Sequence, residues 1–250
     1  MSRKLEAREN AKKGIRDQDP RVEVPRFIPP MLVGELGTRN LSLLDRQKRF
    51  YEVKADGYRT IVTIRHGEDG PIVRLLSKNG KDITQRFPLV TTQLADIKDE
   101  VVLDGEMEAL RPRPDALGIT TQEENALFEM YGGLVPDRNL LSLSAIHLRH
   151  VDYRLRLFDI LFLNGRHLTT KPLSERKLYL NEVVPDELSA VSTVPYFEYT
   201  SDAALLRLLK AVDKFGLEGM VAKRTDSVYT PGRRSDRWLK IKRTPQQPIH

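Results

Sequence analysis

Along most of the chain, apolar and polar residues follow one another in short runs of strand character, punctuated by Gly and Asn turns. Runs at residues 50–54, 58–64, 72–77, 101–110 and 155–163 have this form and predict β-strands. Two stretches change to helical spacing. One is predicted to begin at Pro172-Leu173-Ser174, with Ser174 as N-cap ahead of Leu178 and Leu180. The other follows Ser201 and carries Leu205, Leu208, Leu209 and Val212 on one face. Lys210 and Lys214 sit near its end, where cations favour the carbonyl dipole, and Gly216 stops it. Two further strand-like runs, 219–224 and 238–242, close the pattern.

Residues 111–150 are less regular. A Pro-rich start, a candidate helix at 125–131 and a Gly132-Gly133 break read together as a long excursion between two strands. The first 24 residues are crowded with charge (Arg3, Lys4, Glu6, Arg8, Glu9, Lys12, Lys13, Arg16, Asp17) and are expected to form a tail or loose helix. The packed domain is expected over 25–245. No internal repeat is apparent, which argues against a solenoid.

With 250 residues and 40% hydrophobic content, the chain can bury a proper core as one large domain or two small ones. Its net charge of +6 attracts polyanions, but charge alone does not separate a nucleic-acid or nucleotide surface from an Arg-rich solvated one. The absence of cysteine excludes a disulfide framework, a thiolate zinc site and a thiol nucleophile. No apolar run approaches the roughly 18 to 20 residues that span a bilayer, and the N-terminus lacks a hydrophobic signal core. A soluble protein of the cell interior, in cytoplasm, nucleoid or nucleus and without a membrane partner, is therefore expected.

The segment Tyr51-Glu52-Val53-Lys54-Ala55-Asp56-Gly57-Tyr58-Arg59 runs from a strand through an Asp-Gly turn into a second strand. Alternation puts Glu52 and Lys54 on one face, so a carboxylate and a lysine share a pocket wall. An isolated lysine in a hairpin is usually just a surface residue. It becomes a nucleophile when partial burial and nearby cations, here Arg59, Lys240 and Lys242, favour the free amine.

The form K-x-D-G-x-R resembles the first motif of the covalent nucleotidyltransferases: DNA ligases, RNA ligases and mRNA capping enzymes. Four fixed positions arise by chance in roughly 0.3% of chains of this length, so further matches decide. They follow in family order: Ser77-Lys78-Asn79-Gly80, Leu103-Asp104-Gly105-Glu106, Leu157-Phe158-Asp159-Ile160-Leu161, Glu218-Gly219-Met220-Val221-Ala222-Lys223 and Trp238-Leu239-Lys240-Ile241-Lys242. The run Tyr229-Thr230-Pro231-Gly232-Arg233-Arg234-Ser235 ahead of the last motif is similar to DNA ligases in particular. RNA ligase, capping-type transferase and a non-catalytic DNA-end-binding module of the same fold remain as alternatives.

The resemblance implies an α+β, ATP-grasp-like ligase adenylation domain, with antiparallel sheets, flanking helices and an ATP cleft between the sheets. It implies that Lys54 takes up AMP from ATP and passes it to the 5′-phosphate of nicked or broken duplex DNA. Glu52 would accept from the adenine amino group, Phe158 would pack on the adenine face, and Glu106 would contact ribose or Mg²⁺. Glu218 is a second expected Mg²⁺ contact. Lys240 and Lys242 would contact the α-phosphate, and Arg59 and Lys223 would lie against the nucleotide or the nick phosphate. Lys78 stands where the family usually has arginine, which weakens its expected contact with ribose or the DNA 3′ strand. Asp104 and Glu108, alternating with Glu106, are read as a solvated edge and left outside the site. Ligases normally continue into an OB-fold with a last basic motif; this sequence ends about eight residues after Lys242, so weak nick sealing is expected unless an OB-fold is supplied by a parent protein or in trans.

Overall fold

The computed structural model describes residues 22–36, 44–113, 118–142 and 150–242; the expected tail lies outside them but for residues 22–24. Two sheets form the domain. The smaller has the order β1 (Leu32–Glu35), β12 (Arg234–Lys242), β11 (Gly219–Arg224), β2 (Arg49–Val53), β10 (Tyr196–Glu198). The larger runs β4 (Gly70–Ser77), β3 (Tyr58–Gly67), β5 (Val101–Pro112), β7 (Asp152–Leu163), β8 (Arg166–His167). In addition β6 (Leu134–Pro136) pairs with β5, and β9 (Val191–Thr193) with β7. The expectation of antiparallel sheets holds except at two pairs, β1 with β12 and β7 with β9, which are parallel.

Four α-helices occur among the described residues: α1 (Pro88–Leu94), α2 (Gln122–Tyr131), α3 (Leu173–Val183) and α4 (Asp202–Lys214). The Ser201 side chain caps α4 by accepting from the Ala204 amide at 3.1 Å, and Thr121 caps α2 in the same way. Ser174 is not the N-cap of α3. Pro172 holds that position, and the Ser174 amide instead donates to the Thr225 carbonyl at 2.9 Å, tying the helix to the loop after β11. No helix among the described residues is long and apolar enough to cross a membrane.

Alternation along β3, β5 and β7 splits the core. Val62, Ile64, Leu103, Met107, Leu155 and Leu163 point outward, under α1 and α3. Ile61, Val102, Phe158 and Phe162 point the other way, toward the smaller sheet. The register between β5 and β7 slips twice, where Leu161 and Phe158 each stand as an extra residue on β7. Such bulges re-aim side chains, and both of these join the inner cluster between the sheets.

Candidate functional site

The β2–β3 turn lies where the sheets face each other. Gly57 is required there: a Cβ at this position would stand 1.9 Å from the Met107 carbonyl oxygen of β5. The strand leading in carries Glu52, and Lys54 follows directly after its end. The Lys54 amide donates to the Gly219 carbonyl at 2.9 Å, and its Nζ meets the Glu218 carboxylate at the start of β11. The lysine and carboxylate that share a contact are thus Lys54 and Glu218. Glu52 is engaged elsewhere: Lys223 Nζ lies 2.5 Å from one of its oxygens and Lys177 Nζ 2.7 Å from the other, all three side chains buried.

Register shows which residues share the cleft face of the smaller sheet. Lys223 is opposite Trp238 and Val221 is opposite both Glu52 and Lys240, so these side chains stand together. Lys223 Nζ lies 4.4 Å from the Phe158 ring centroid and 4.3 Å from that of Trp238, and Arg59 covers Phe158 at 4.7 Å. The aromatic face expected to receive adenine is therefore held by cations. Burial lowers the Lys223 pKa to about 8, against the opposing pull of Glu52. Lys240 pairs with Glu35 at 2.6 Å. The Lys242 side chain lies outside the described residues.

Across the cleft, β5 presents Asp104, Glu106 and Glu108 on one face. Arg59 and Arg156 flank Glu106 in register on β3 and β7, yet both bond diagonally. Arg59 grips Asp104 through two contacts of 2.6 Å, and Arg156 reaches Glu108 at 3.2 Å. Among the described residues, no hydrogen bond or ion pair reaches Glu106. Burial raises its pKa from 4.5 to about 7, with the charges of Arg59 and Lys54 opposing. Arg59 itself is pushed above its ordinary range, because Asp104 outweighs the cost of burial.

The solvated-edge reading of Asp104 and Glu108 is wrong: both are fully buried. Asp104 also accepts from the Tyr229 hydroxyl at 2.6 Å, and that hydroxyl receives the Met31 amide at 2.8 Å. Glu108 accepts from the Asp56 amide at 3.0 Å and from Tyr131 of α2 at 3.2 Å, so it fixes the turn just past Lys54. The signal was present, since three acids on one strand face demand cations. Lys177 and Tyr131 carried no comparable signal, because each reaches the site from a separate helix. Lys78 is exposed and lines an open cleft of about 370 Å³ with Arg59 and Glu106. No group of three or more His, Asp or Glu side chains suited to a metal occurs among the described residues.

Two facing sheets that close on a lysine, a set of carboxylates and several cations define a nucleotidyltransferase-like architecture, and comparison with known proteins narrows the class. Residues 30–242 match the ATP dependent DNA ligase domain, and the chain belongs to that family. It is 29% identical over 230 residues to the DNA ligase of Thermococcus onnurineus, covering 89% of this chain and 37% of that protein. Among solved structures, it resembles the ligase domain of Mycobacterium tuberculosis LigD (28% identity, TM-score 0.61, 86% of this chain and 60% of that one). It also resembles a mycobacterial DNA ligase D complexed with ATP (29% identity, TM-score 0.56, with the same coverage). The chain thus spans little more than a third of the archaeal relative's length.

Proposed function

We propose that this chain is the catalytic half of an ATP-dependent DNA ligase and that Lys54 is its nucleophile. The observation that carries the reading is the placement of Lys54 at the cleft, with Glu218 on its Nζ and its turn held from behind by Glu108. The free amine attacks the α-phosphorus of ATP. A P–N bond forms, the bond to the β-phosphate bridging oxygen breaks, pyrophosphate leaves, and the lysine gives up a proton. AMP then passes to the 5′-phosphate of nicked or broken DNA, and the 3′-hydroxyl displaces it.

Phe158 offers the adenine platform once Lys223 moves off its ring, and Glu52 accepts from the exocyclic amine. Arg59, Lys223, Lys240 and Lys242 counter phosphate charge. Glu106, which no hydrogen bond or ion pair reaches among the described residues, fits one oxygen ligand of Mg²⁺, and Glu218 fits a second; such an ion usually takes one or two carboxylates and completes its shell with phosphate and water. Bound there, Mg²⁺ would offset charge on the phosphates. The domain is read as residues 25–245, acting on DNA within the cell, with an OB-fold domain of a longer parent, or one supplied in trans, completing strand joining. Intact mass after incubation with ATP and Mg²⁺ tests the first step: one added AMP supports it, whereas an adduct from GTP alone would contradict it.

A further inference from the structure

We propose that Arg138, outside every motif segment, anchors a phosphate site that takes the sugar-phosphate strand of DNA at the mouth of the cleft. The inference rests on the DNA-joining reading above and adds to it a residue and a surface.

The open cleft of about 370 Å³ runs from β1 and β12 on one sheet to β3, β4 and β5 on the other, and its charged lining is Arg59, Lys78, Glu106, Arg138 and Arg234. These cations differ in what they have left to offer. Arg59 is already paired with Asp104. Lys78 is exposed and forms no ion pair among the described residues. Arg234 is exposed and donates to the Val33 carbonyl, a neutral partner that leaves its charge in place. The Arg138 guanidinium is exposed and stands 5.7 Å from the Tyr58 ring centroid, above the strand that leaves the Lys54 turn. Burial and the Glu218 charge raise the Asp56 pKa, while Lys54 and Arg138 oppose that rise, so Arg138 lies within electrostatic reach of this carboxylate.

The mounting of Arg138 is firm. The Asp137 amide donates to the Ala109 carbonyl at 2.8 Å, which prolongs the β5–β6 pairing. The Asp137 side chain accepts from the Asn139 amide at 3.1 Å. Three residues on, Leu141 is fully buried in the outer core, and its carbonyl receives Arg86 at 2.6 Å. A rigid turn thus projects a cation that no carboxylate claims in an ion pair among the described residues, which suits an incoming anion. Three accessible cations around an open cleft fit an extended polyanion.

The test is fluorescence anisotropy of the full chain with a nicked, 5′-phosphorylated duplex across a salt series. Arg138→Ala, Arg138→Lys and Arg65→Ala are compared; Arg65 is exposed toward the far end of β3, away from the cleft. Loss of one phosphate contact lowers the slope of log affinity against log salt by about 0.9. We expect that drop in Arg138→Ala, together with roughly tenfold weaker binding at low salt. The slope should return in Arg138→Lys and stay at the wild-type value in Arg65→Ala. An unchanged slope in Arg138→Ala, an equal drop in Arg65→Ala, or no binding by the wild type overturns the proposal. AMP uptake is measured on the same proteins. If Arg138→Ala slows AMP uptake as much as it weakens DNA binding, the site serves the nucleotide and the strand assignment falls. If no protein takes up AMP while the slope effect persists, the adenylation reading fails and this site stands.

Discussion

At the scale of single residues, the cleft is a problem in charge placement. Asp104 is fully buried and answered by both Arg59 and Tyr229. Removing it as Asp104→Ala strands a nearly buried guanidinium, a loss that typically costs about 3–5 kcal/mol. Urea unfolding should report that drop, and a change below about 1 kcal/mol would show that the pair contributes little to the fold. Glu106 is the opposite case. Its folded pKa of about 7 lies above its ordinary 4.5, so the folded form binds more protons between those values. Stability therefore falls as pH rises through that window, and the penalty is complete above pH 7. Glu106→Gln should thus be more stable than wild type at pH 8, by up to about 3 kcal/mol, with the gap closing below pH 4.5. Thermal melts across pH check this, and a difference independent of pH would contradict it. The same substitution should impair AMP uptake, since it removes a proposed metal ligand.

At the scale of elements, the hairpin around Lys54 depends on close backbone contact. Gly57→Ala would drive a methyl into the Met107 carbonyl and displace the turn from β5, at a cost on the order of 3 kcal/mol and with loss of AMP uptake. A variant that folds and reacts normally would disprove the tight packing. The long strands and α4 were legible because their apolar periodicity is carried within one segment, as with Leu205, Leu208 and Val212 beneath the Ser201 cap. The helix α1 was not, because its buried Val90 and Leu94 span only two turns. The short strands β1, β6, β8, β9 and β10 went unread because a run of two to four residues shows no period until a partner strand defines it. The site divides in the same way. Lys54, Glu106, Phe158 and Glu218 were named from motif segments, and three acids alternating on β5 announced a need for cations. That Arg59 would choose Asp104, Arg156 would choose Glu108, and Lys177 would reach Glu52 depends on diagonal geometry between strands and on α3 packing, neither of which a linear pattern encodes.

At the scale of the whole molecule, the two sheets bring a cleft with few free carboxylates to a chain of net charge +6. Such a surface should hold duplex DNA without reading its sequence, and affinity should fall steeply with salt; a flat salt dependence would contradict a phosphate-based contact. The central claim does not depend on DNA. It is tested most directly by intact-protein mass after exposure to ATP and Mg²⁺, for the wild type beside Lys54→Ala. The account predicts one AMP on the wild type and none on the variant; an adduct that persists in Lys54→Ala would place the nucleophile elsewhere and contradict it.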